Sequence, residues 1–282
     1  MGTHADIMRL LVDNNHPDSS PMVGWWILEH VTGRDRSTLL VQPHISSLEH
    51  EQAISLVGRM MSDRIPLSYI LGYVPFGALT ILVEPPVLIP RPETEEWVMN
   101  LLATTQTIPE RVLDLCTGSG CIALSVAHAW PDTQVVAIDN CPIACQLALR
   151  NMRSNNLDRV TIVEHDITKP WDKVLPTEQL YNIITANPPY VSDSEWDTMA
   201  PEITRWENRA AHVTPDNGYH LIDVILSQAA YWLVPRGKVY IEIGWKQGPQ
   251  ALEKAKNYGF DASYIQKDSA GNDRVIIASR TT

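Results

Sequence analysis

The sequence predicts an α/β fold in which a mainly parallel sheet carries helices on both faces. After Glu93, short apolar segments typical of buried strands alternate with longer segments of helical spacing. A glycine-containing turn, "CTGSGC", lies directly between the first of these strands and the first of these helices. The chain before residue 66 shows helical spacing throughout, so we expect a separate small helical domain there.

That N-terminal domain is expected over residues 1–65, with three to five short helices. Apolar residues recur every three or four positions in "WWILEHVTG" and "SLEHEQAISLVGRMMSDR". Ser46 or Ser47 is expected to cap the second of these helices, ahead of Glu49. The residues expected on one face of that helix are Leu48, Ala53, Leu56, Val57 and Met60. Trp25 and Trp26 are interpreted as packing residues.

Residues 66–92 are expected to form an extended connector. The segment "PLSYILGYVPFGALTILVEPPVLIPRP" is punctuated by prolines, and its alternating pattern around Gly72 and Gly77 predicts a β-hairpin. Such a linker would lie close to the site that the two domains share.

Residues 93–282 carry the strand–helix alternation. The predicted strands are "RVLDLC", "QVVAID", "VTIVEHD", "YNIITA" and "KVYIEIG", followed by a glycine-linked pair, "DASYIQKD" and "RVIIASR". The predicted helices include "CIALSVAHAW", "CPIACQLALRNMRSNN" and "YHLIDVILSQAAYWLV". The final pair is expected to be an antiparallel hairpin at the end of the sheet.

The bulk composition indicates a globular, acidic protein. Of the 282 residues, 44% are hydrophobic and 20% are charged, which argues against wholesale disorder. The 22 basic and 33 acidic residues give a net charge of −11. Such a surface gains nothing from counterion release at a phosphate backbone, so no direct nucleic-acid partner is expected. The chain is expected to be a monomer.

Four cysteines lie within thirty residues, at Cys116, Cys121, Cys141 and Cys145. No histidine-rich segment accompanies them, so we interpret them as buried free thiols of a reducing compartment and expect no metal.

No membrane partner is expected, because the chain has no apolar run of 18 residues. The first twenty residues lack a signal peptide's basic-then-apolar order, and Arg9 is their one basic side chain, apart from histidine. Asp6 occupies the place where a myristoylation pattern requires Ser or Thr. The expected location is the cytoplasm of a bacterial cell or, alternatively, a mitochondrial matrix.

Acidic residues close the first three predicted strands, at Asp114, Asp139 and Asp166. Asp139 follows Gly118 by 21 residues, a position from which a carboxylate accepts hydrogen bonds from a ribose diol. Three carboxylates would repel a pyrophosphate, but they suit ribose hydroxyls beside a cationic ammonium and sulfonium, which describes S-adenosylmethionine. The alternative is that these residues are turn formers and helix caps.

The stretch "NPPY", from Asn187 to Tyr190, follows the fourth predicted strand. The side-chain oxygen of Asn187 and the carbonyl of Pro188 can accept hydrogen bonds from one NH₂ group, and Pro189 helps to make the corner rigid. The ring of Tyr190 offers a flat surface to a planar amide or base. This arrangement suits methylation of an amide or aromatic amine; the alternative is a plain turn, since Asn-Pro often begins one.

Over nearly its whole length the chain resembles the HemK/PrmC family, the peptide chain release factor glutamine N5-methyltransferases. The resemblance rests on "PLSYILGYVPFGALTILVEPPVLIPRPETEEWV", "RVLDLCTGSGCIALSVA", "AIDNCPIACQLALRNM", "ANPPYVS", "YIEIGWKQG" and "KDSAGNDRV". It implies a Rossmann-like class I methyltransferase domain with a seven-stranded sheet, joined by a β-hairpin linker to an N-terminal helical domain that helps to grip the substrate. It implies S-adenosylmethionine as methyl donor, S-adenosylhomocysteine as product, and as acceptor the glutamine of a release factor's Gly-Gly-Gln (GGQ) loop.

The resemblance also implies roles for individual residues. Residues near the cofactor would be Asp114, Cys116, Thr117, Gly118, Ser119, Gly120, Asp139, Asp166, Ile167 and Asn187. The glutamine would be held by Asn187, Pro188, Pro189 and Tyr190, with Asn187, Pro188 and Tyr190 serving catalysis. Arg91, Pro92 and Glu93 would line the entrance of the substrate pocket.

Two positions depart from the family pattern. Cys116 replaces a frequent glycine, and "DLCTGSGCIA" also resembles enzymes that methylate a glutamine of a large-subunit ribosomal protein. Asn208 in "WENRAAH" replaces a usual proline. The alternatives are therefore such a ribosomal-protein enzyme, a nucleic-acid amino-methyltransferase, and a binding module without turnover.

Overall fold

The computed structural model describes Ile7 and residues 21–280. The expectations for the N-terminal twenty residues therefore fall outside the described part of the chain, except at Ile7. None of the helices within the described part has the length and apolar character needed to cross a bilayer.

The described residues divide into two compact units. The first comprises the chain up to Gly72 together with Ala200–Trp206, and the second comprises Tyr73–Met199 and the chain from Glu207 onward. The division of the sequence into residues 1–65, 66–92 and 93–282 stays a prediction.

The first unit is helical. Its helices are α1 (Pro21–Thr32), α2 (Arg36–Val41), α3 (Ser47–Ser62), α4 (Leu67–Leu71) and α9 (Pro201–Thr204). Helix α3 begins with the predicted capping box, in which Ser46 and Glu49 each accept the other's backbone N–H. The returning segment is tied to the rest of this unit, because the Trp206 indole donates to the carbonyl of Asp63 at 3.1 Å and Arg64 pairs with Glu202 at 2.9 Å.

Two expectations are wrong, one for the helix over residues 47–62 and one for the connector that follows it. Leu48 is 65% exposed, whereas Ala53, Val57 and Met60 are buried. Leu48 lies nine residues before Val57, which at roughly 100° per residue places it about half a turn away from the buried face. The connector is also not extended from Pro66, because α4 forms between Pro66 and Gly72, whose left-handed backbone (φ 81°) ends the helix.

The second unit begins with the predicted hairpin, β1 (Tyr73–Phe76) paired antiparallel with β2 (Leu79–Leu82). The larger sheet consists of β3 (Arg111–Leu115), β4 (Gln134–Asp139), β5 (Val160–Glu164), β6 (Tyr181–Ala186), β7 (Leu233–Glu242), β8 (Ala262–Lys267) and β9 (Asp273–Ser279). The helices of this unit are α5 (Pro92–Thr104), α6 (Cys121–Ala129), α7 (Pro142–Ser154), α8 (Asp193–Trp196), α10 (His220–Trp232) and α11 (Gly248–Asn257).

The larger sheet, as described, has seven strands in the order β5-β4-β3-β6-β7-β9-β8. Strands β3 to β7 pair in parallel, and β9 and β8 add the expected antiparallel hairpin. Side chains alternate along β3, so Leu113 and Leu115 face a core built with α10 and α11 while Val112 and Asp114 face the opposite side. Both faces are buried, as expected for a parallel sheet between helices.

Strand β7 is longer than predicted. It begins at Leu233, directly after α10, and Leu233 pairs with Tyr181. Regular pairing resumes only at Lys238 opposite Ile183, because the Pro-Arg-Gly segment interrupts the register and Arg236 adopts a left-handed backbone (φ 64°).

Candidate active site

A cavity of about 410 Å³ lies at the carboxyl ends of the parallel strands, within the second unit. Its walls include the loops that follow β3, β4, β5 and β6. Open parallel sheets bind ligands at this edge, because the strand ends and the following helix starts leave polar groups there.

In the loop between β3 and α6, every second residue has a left-handed backbone conformation. Cys116, Gly118 and Gly120 have φ values of 56°, 55° and 85°. At Gly120 a side chain would be strained for two reasons, since an added Cβ would lie only 3.2 Å from the Cβ of Ala148 and the positive φ disfavours any L residue. Cys116 therefore adopts a backbone conformation that glycine would adopt without strain.

Asp139 holds this loop against the neighbouring strand. Its Oδ2 accepts the backbone N–H of Gly118 at 2.8 Å, and its Oδ1 accepts the N–H of Cys141 at 2.9 Å. Burial raises the pKa of Asp139. Each carboxylate oxygen keeps a further lone pair, so the side chain can still accept two hydrogen bonds from a ligand.

Asp114 lies elsewhere than the sequence predicts. It is 0% exposed and is not among the residues that line the cavity. Its oxygens accept the hydroxyls of Thr117 at 2.6 Å and Thr185 at 2.7 Å. The expected direct contact with the cofactor is therefore replaced by a buried bridge that fixes the start of the glycine loop. Burial raises the pKa of Asp114 to about 7.

This raised pKa predicts a pH dependence of stability. The unfolded chain releases the Asp114 proton near pH 4, whereas the folded chain retains it up to about pH 7, so this residue lowers the free energy of unfolding as pH rises through that interval. Its full contribution is on the order of 4 kcal/mol. Urea unfolding of wild type and Asp114→Asn between pH 4 and 8 should show the wild type losing stability relative to the variant.

The matched control for this series is Asp35→Asn. Hydrogen bonds from Thr38 lower the pKa of Asp35, so its contribution has the opposite sign and is lost as pH falls. Equal pH slopes for wild type and Asp114→Asn would contradict the assignment.

Asn187 directly follows β6 and lines the cavity. Its Nδ2 donates to the Thr94 hydroxyl oxygen at 3.3 Å, and the Thr94 hydroxyl donates to Glu242 Oε2 at 2.7 Å. The Trp97 indole donates to the same Glu242 oxygen at 2.8 Å. Burial raises the pKa of Glu242, which is 1% exposed. Two segments that are distant in sequence, "RPETEEW" and "YIEIG", therefore meet beneath Asn187.

Tyr190 is fixed at both its ring and its backbone. Its hydroxyl lies 3.3 Å from Glu242 Oε1, and its carbonyl accepts from Gln247 Nε2 at 3.1 Å. Gly218 packs so closely that an added Cβ would lie 2.1 Å from the Tyr190 carbonyl oxygen. Burial raises the pKa of Tyr190 far above its ordinary value. The corner after β6 is thus held by contacts from three later segments of the chain.

Arg91 makes a partly buried ion pair with Glu207 and is not among the residues that line the cavity. It donates to both oxygens of Glu207 at 2.7 Å, and His212 Nε2 lies 2.7 Å from Glu207 Oε2. Asn208, where relatives were expected to have proline, donates its backbone N–H to the Pro86 carbonyl at 2.8 Å. A proline at this position has no backbone N–H and could not form this hydrogen bond.

Most of the predicted site residues meet at the cavity. Those lining it are Cys116, Thr117, Gly118, Ser119, Asp139, Asp166, Ile167, Asn187 and Pro189. Those outside its lining are Asp114, Gly120, Pro188, Tyr190, Arg91, Pro92 and Glu93. Pro92 begins α5, and both it and Glu93 are exposed.

All four cysteines are free, but Cys116 and Cys141 are only half-buried, because both lie in loops that face the cavity. The expectation of four buried thiols is therefore wrong for these two. Within the described part of the chain, no three acidic, cysteine or histidine residues are grouped so that they could hold a metal ion.

Sequence reasoning missed Thr94, Glu242 and Asn151. Because Ala186 pairs with Ile241, Asn187 and Glu242 lie at the same level of the neighbouring strands β6 and β7. The rule that polar residues at strand ends form the site, applied to β7, would therefore also have identified Glu242. Asn151 is fully buried on α7 and joins the hairpin to the glycine loop, donating to the carbonyls of Leu82 and Ser119. A lone amide on the buried face of a helix was the available signal.

Known proteins resemble this chain over most of its length. A family model for the PrmC N-terminal domain matches residues 9–72, and one for the methyltransferase small domain matches residues 96–218. A release factor glutamine methyltransferase from Thermodesulfovibrio yellowstonii is 35% identical over 90% of this chain and 91% of its own length. The Escherichia coli protein of the same name is 33% identical, with 89% of each chain covered. A methyltransferase structure from Pyrococcus furiosus matches 72% of this chain and 89% of its own with a TM-score of 0.54 at 21% identity, which supports the fold.

Proposed function

This chain belongs to the family of release factor glutamine methyltransferases, and from that premise we propose that it methylates the GGQ glutamine of a peptide chain release factor. The methyl group would pass from S-adenosylmethionine to the side-chain amide nitrogen of that glutamine. The observation that carries the proposal is Asn187, an amide acceptor at the cavity wall, directly after the strand next to the cofactor loop.

S-adenosylmethionine is the cofactor of this enzyme, and the residues present fit it. Asp139 retains two acceptor sites for ribose hydroxyls, and the N-terminus of α6 favours the ligand's carboxylate. His165 lines the cavity, and its buried Nε2 has no hydrogen-bond partner among the described residues, so a polar ligand atom would satisfy it. When bound, the cofactor supplies an electrophilic methyl group and leaves as S-adenosylhomocysteine.

The difficulty of this reaction lies in the acceptor, because an amide nitrogen delocalises its lone pair into the carbonyl group. Asn187 Oδ1 and the Pro188 carbonyl would accept the two N–H groups and thereby orient the nitrogen. Tyr190 would pack against the planar amide. Positioning by fixed acceptors in a site shielded from water would provide much of the rate.

The test is a competition for label. The full chain is incubated with methyl-labelled S-adenosylmethionine and four acceptors: a release factor, its variant with alanine at the loop glutamine, a large-subunit ribosomal protein, and DNA. We expect label in the unmodified release factor alone. Label confined to the ribosomal protein or to DNA would replace the proposed substrate, and equal label in both release factors would exclude the loop glutamine as the acceptor.

A further inference from the structure

The contacts beneath Asn187 determine which end of its side-chain amide faces the cavity. The Trp97 indole is a donor only, so Glu242 Oε2, 2.8 Å away, must act as an acceptor. The Tyr190 hydroxyl donates to the other oxygen, Oε1, at 3.3 Å, so all of these contacts use Glu242 as an acceptor.

Glu242 Oε2 therefore also accepts from Thr94, 2.7 Å away. A hydroxyl group has one hydrogen, and in Thr94 that hydrogen is used on Glu242. Toward Asn187, 3.3 Å away, the Thr94 oxygen can only accept. Asn187 must turn its NH₂ group toward Thr94, and its Oδ1 is the amide atom left for the cavity.

We propose that Thr94 is a positioning residue that makes Asn187 present an acceptor, so that the site selects a glutamine amide over a glutamate carboxylate. The inference rests on the proposed function and adds the origin of its specificity. An amide nitrogen of the substrate can donate to Asn187 Oδ1, whereas a carboxylate oxygen in the same place would face another oxygen and repel it. With the Asn187 amide reversed, only the Pro188 carbonyl would still favour an amide, so the preference would weaken.

Burial gives this arrangement its strength. Thr94 is 1% exposed and Trp97 is 1% exposed, so water cannot readily replace either partner. Reversal of the amide would set the lone pairs of Asn187 Oδ1 against those of the Thr94 oxygen, and a buried unsatisfied group is costly. The hydrogen bonds that Trp97 and Thr94 donate to Glu242 thus determine which atom of the Asn187 amide faces the cavity.

The test compares Thr94→Val, which keeps the shape and removes the hydroxyl, with Thr94→Ser, which keeps the hydroxyl. Each enzyme is assayed with a release factor as substrate. The competitive inhibitor is the same release factor with its loop glutamine replaced by glutamate. For Thr94→Val we expect kcat/KM to fall about tenfold or more and the glutamate variant to inhibit about tenfold more tightly. Thr94→Ser should resemble wild type, and the affinity for S-adenosylmethionine should stay unchanged in both.

A merely structural role for Thr94 would not change the preference between glutamine and glutamate. Binding of the two release factors to the protein saturated with S-adenosylhomocysteine measures that preference without turnover. Trp97→Phe, which removes the donor that makes Glu242 Oε2 accept, should shift the same ratio in the same direction if Thr94→Val fails to fold.

The inference and the proposed function can fail separately. Absence of methylation by the wild type would reject the proposed substrate. Methylation by the wild type, with an unchanged glutamine-to-glutamate ratio in Thr94→Val or an equal shift in Thr94→Ser, would reject the role of the Thr94 hydroxyl.

Discussion

Asn187→Ala is expected to lower kcat by about 10²–10³-fold while the affinity for S-adenosylmethionine stays within a few-fold of wild type. The substitution removes the acceptor that would orient the amide nitrogen, and loss of one such fixed polar group costs about 10²–10³ in kcat in well-characterised active sites. The Pro188 carbonyl alone cannot hold both N–H groups. Single-turnover methylation of a release factor, with calorimetric binding of S-adenosylmethionine, measures the two effects separately.

The matched control for this variant is Asn100→Ala, which truncates the same side chain at an exposed position of α5. It should leave both quantities unchanged. If Asn187→Ala turned over at a rate comparable with wild type, the proposed role of the "NPPY" corner would be untenable.

Asp139→Ala is expected to weaken binding of S-adenosylmethionine about 100-fold. Two hydrogen bonds from ribose hydroxyls to a charged acceptor would be lost, at about 1.5–3 kcal/mol each before relaxation. The backbone N–H groups of Gly118 and Cys141 would also lose their acceptor, so the glycine loop would be less well ordered. Calorimetric titration with S-adenosylmethionine and S-adenosylhomocysteine should show the same loss for both ligands.

Glu164→Ala provides the comparison, because Glu164 is the residue paired with Asp139 on the adjacent strand and its side chain is exposed. It removes one negative charge from the same sheet edge without removing an acceptor from the cavity. A similar loss of affinity in both variants would point to general electrostatics and count against a specific ribose contact at Asp139.

The sequence predicts the sheet well because each strand is a buried apolar run that stops at a polar residue. Asp139 and Asn187 are examples, and the cavity forms where they end. The hairpin of β1 and β2 and the capping box of α3 were equally accessible, since local spacing and turn residues determine both.

How deep a residue lies within its strand was harder to predict from the sequence. Asp114 and Asp139 look alike in the sequence, but Asp114 lies inside β3 and is directed to Thr117 and Thr185, whereas Asp139 is the last residue of β4. Asp114 pairs with Ala137, so it lies two positions before the level of Asp139, and local pattern alone does not determine the end of a strand to that accuracy. Two of the partners of Glu242 are side chains of α5 that lie 145 and 148 residues away in sequence, a relation that no local pattern contains.

Residues 200–206 belong to the helical unit although they lie between β6 and α10, so the chain passes between the two units three times. A fragment that ends at Gly72 lacks Glu202, the partner of Arg64, and Trp206, the partner of Asp63. The N-terminal region is therefore not an interchangeable module that gene fusion could transfer intact. In a chimera the N-terminal region and residues 200–206 should therefore be exchanged together.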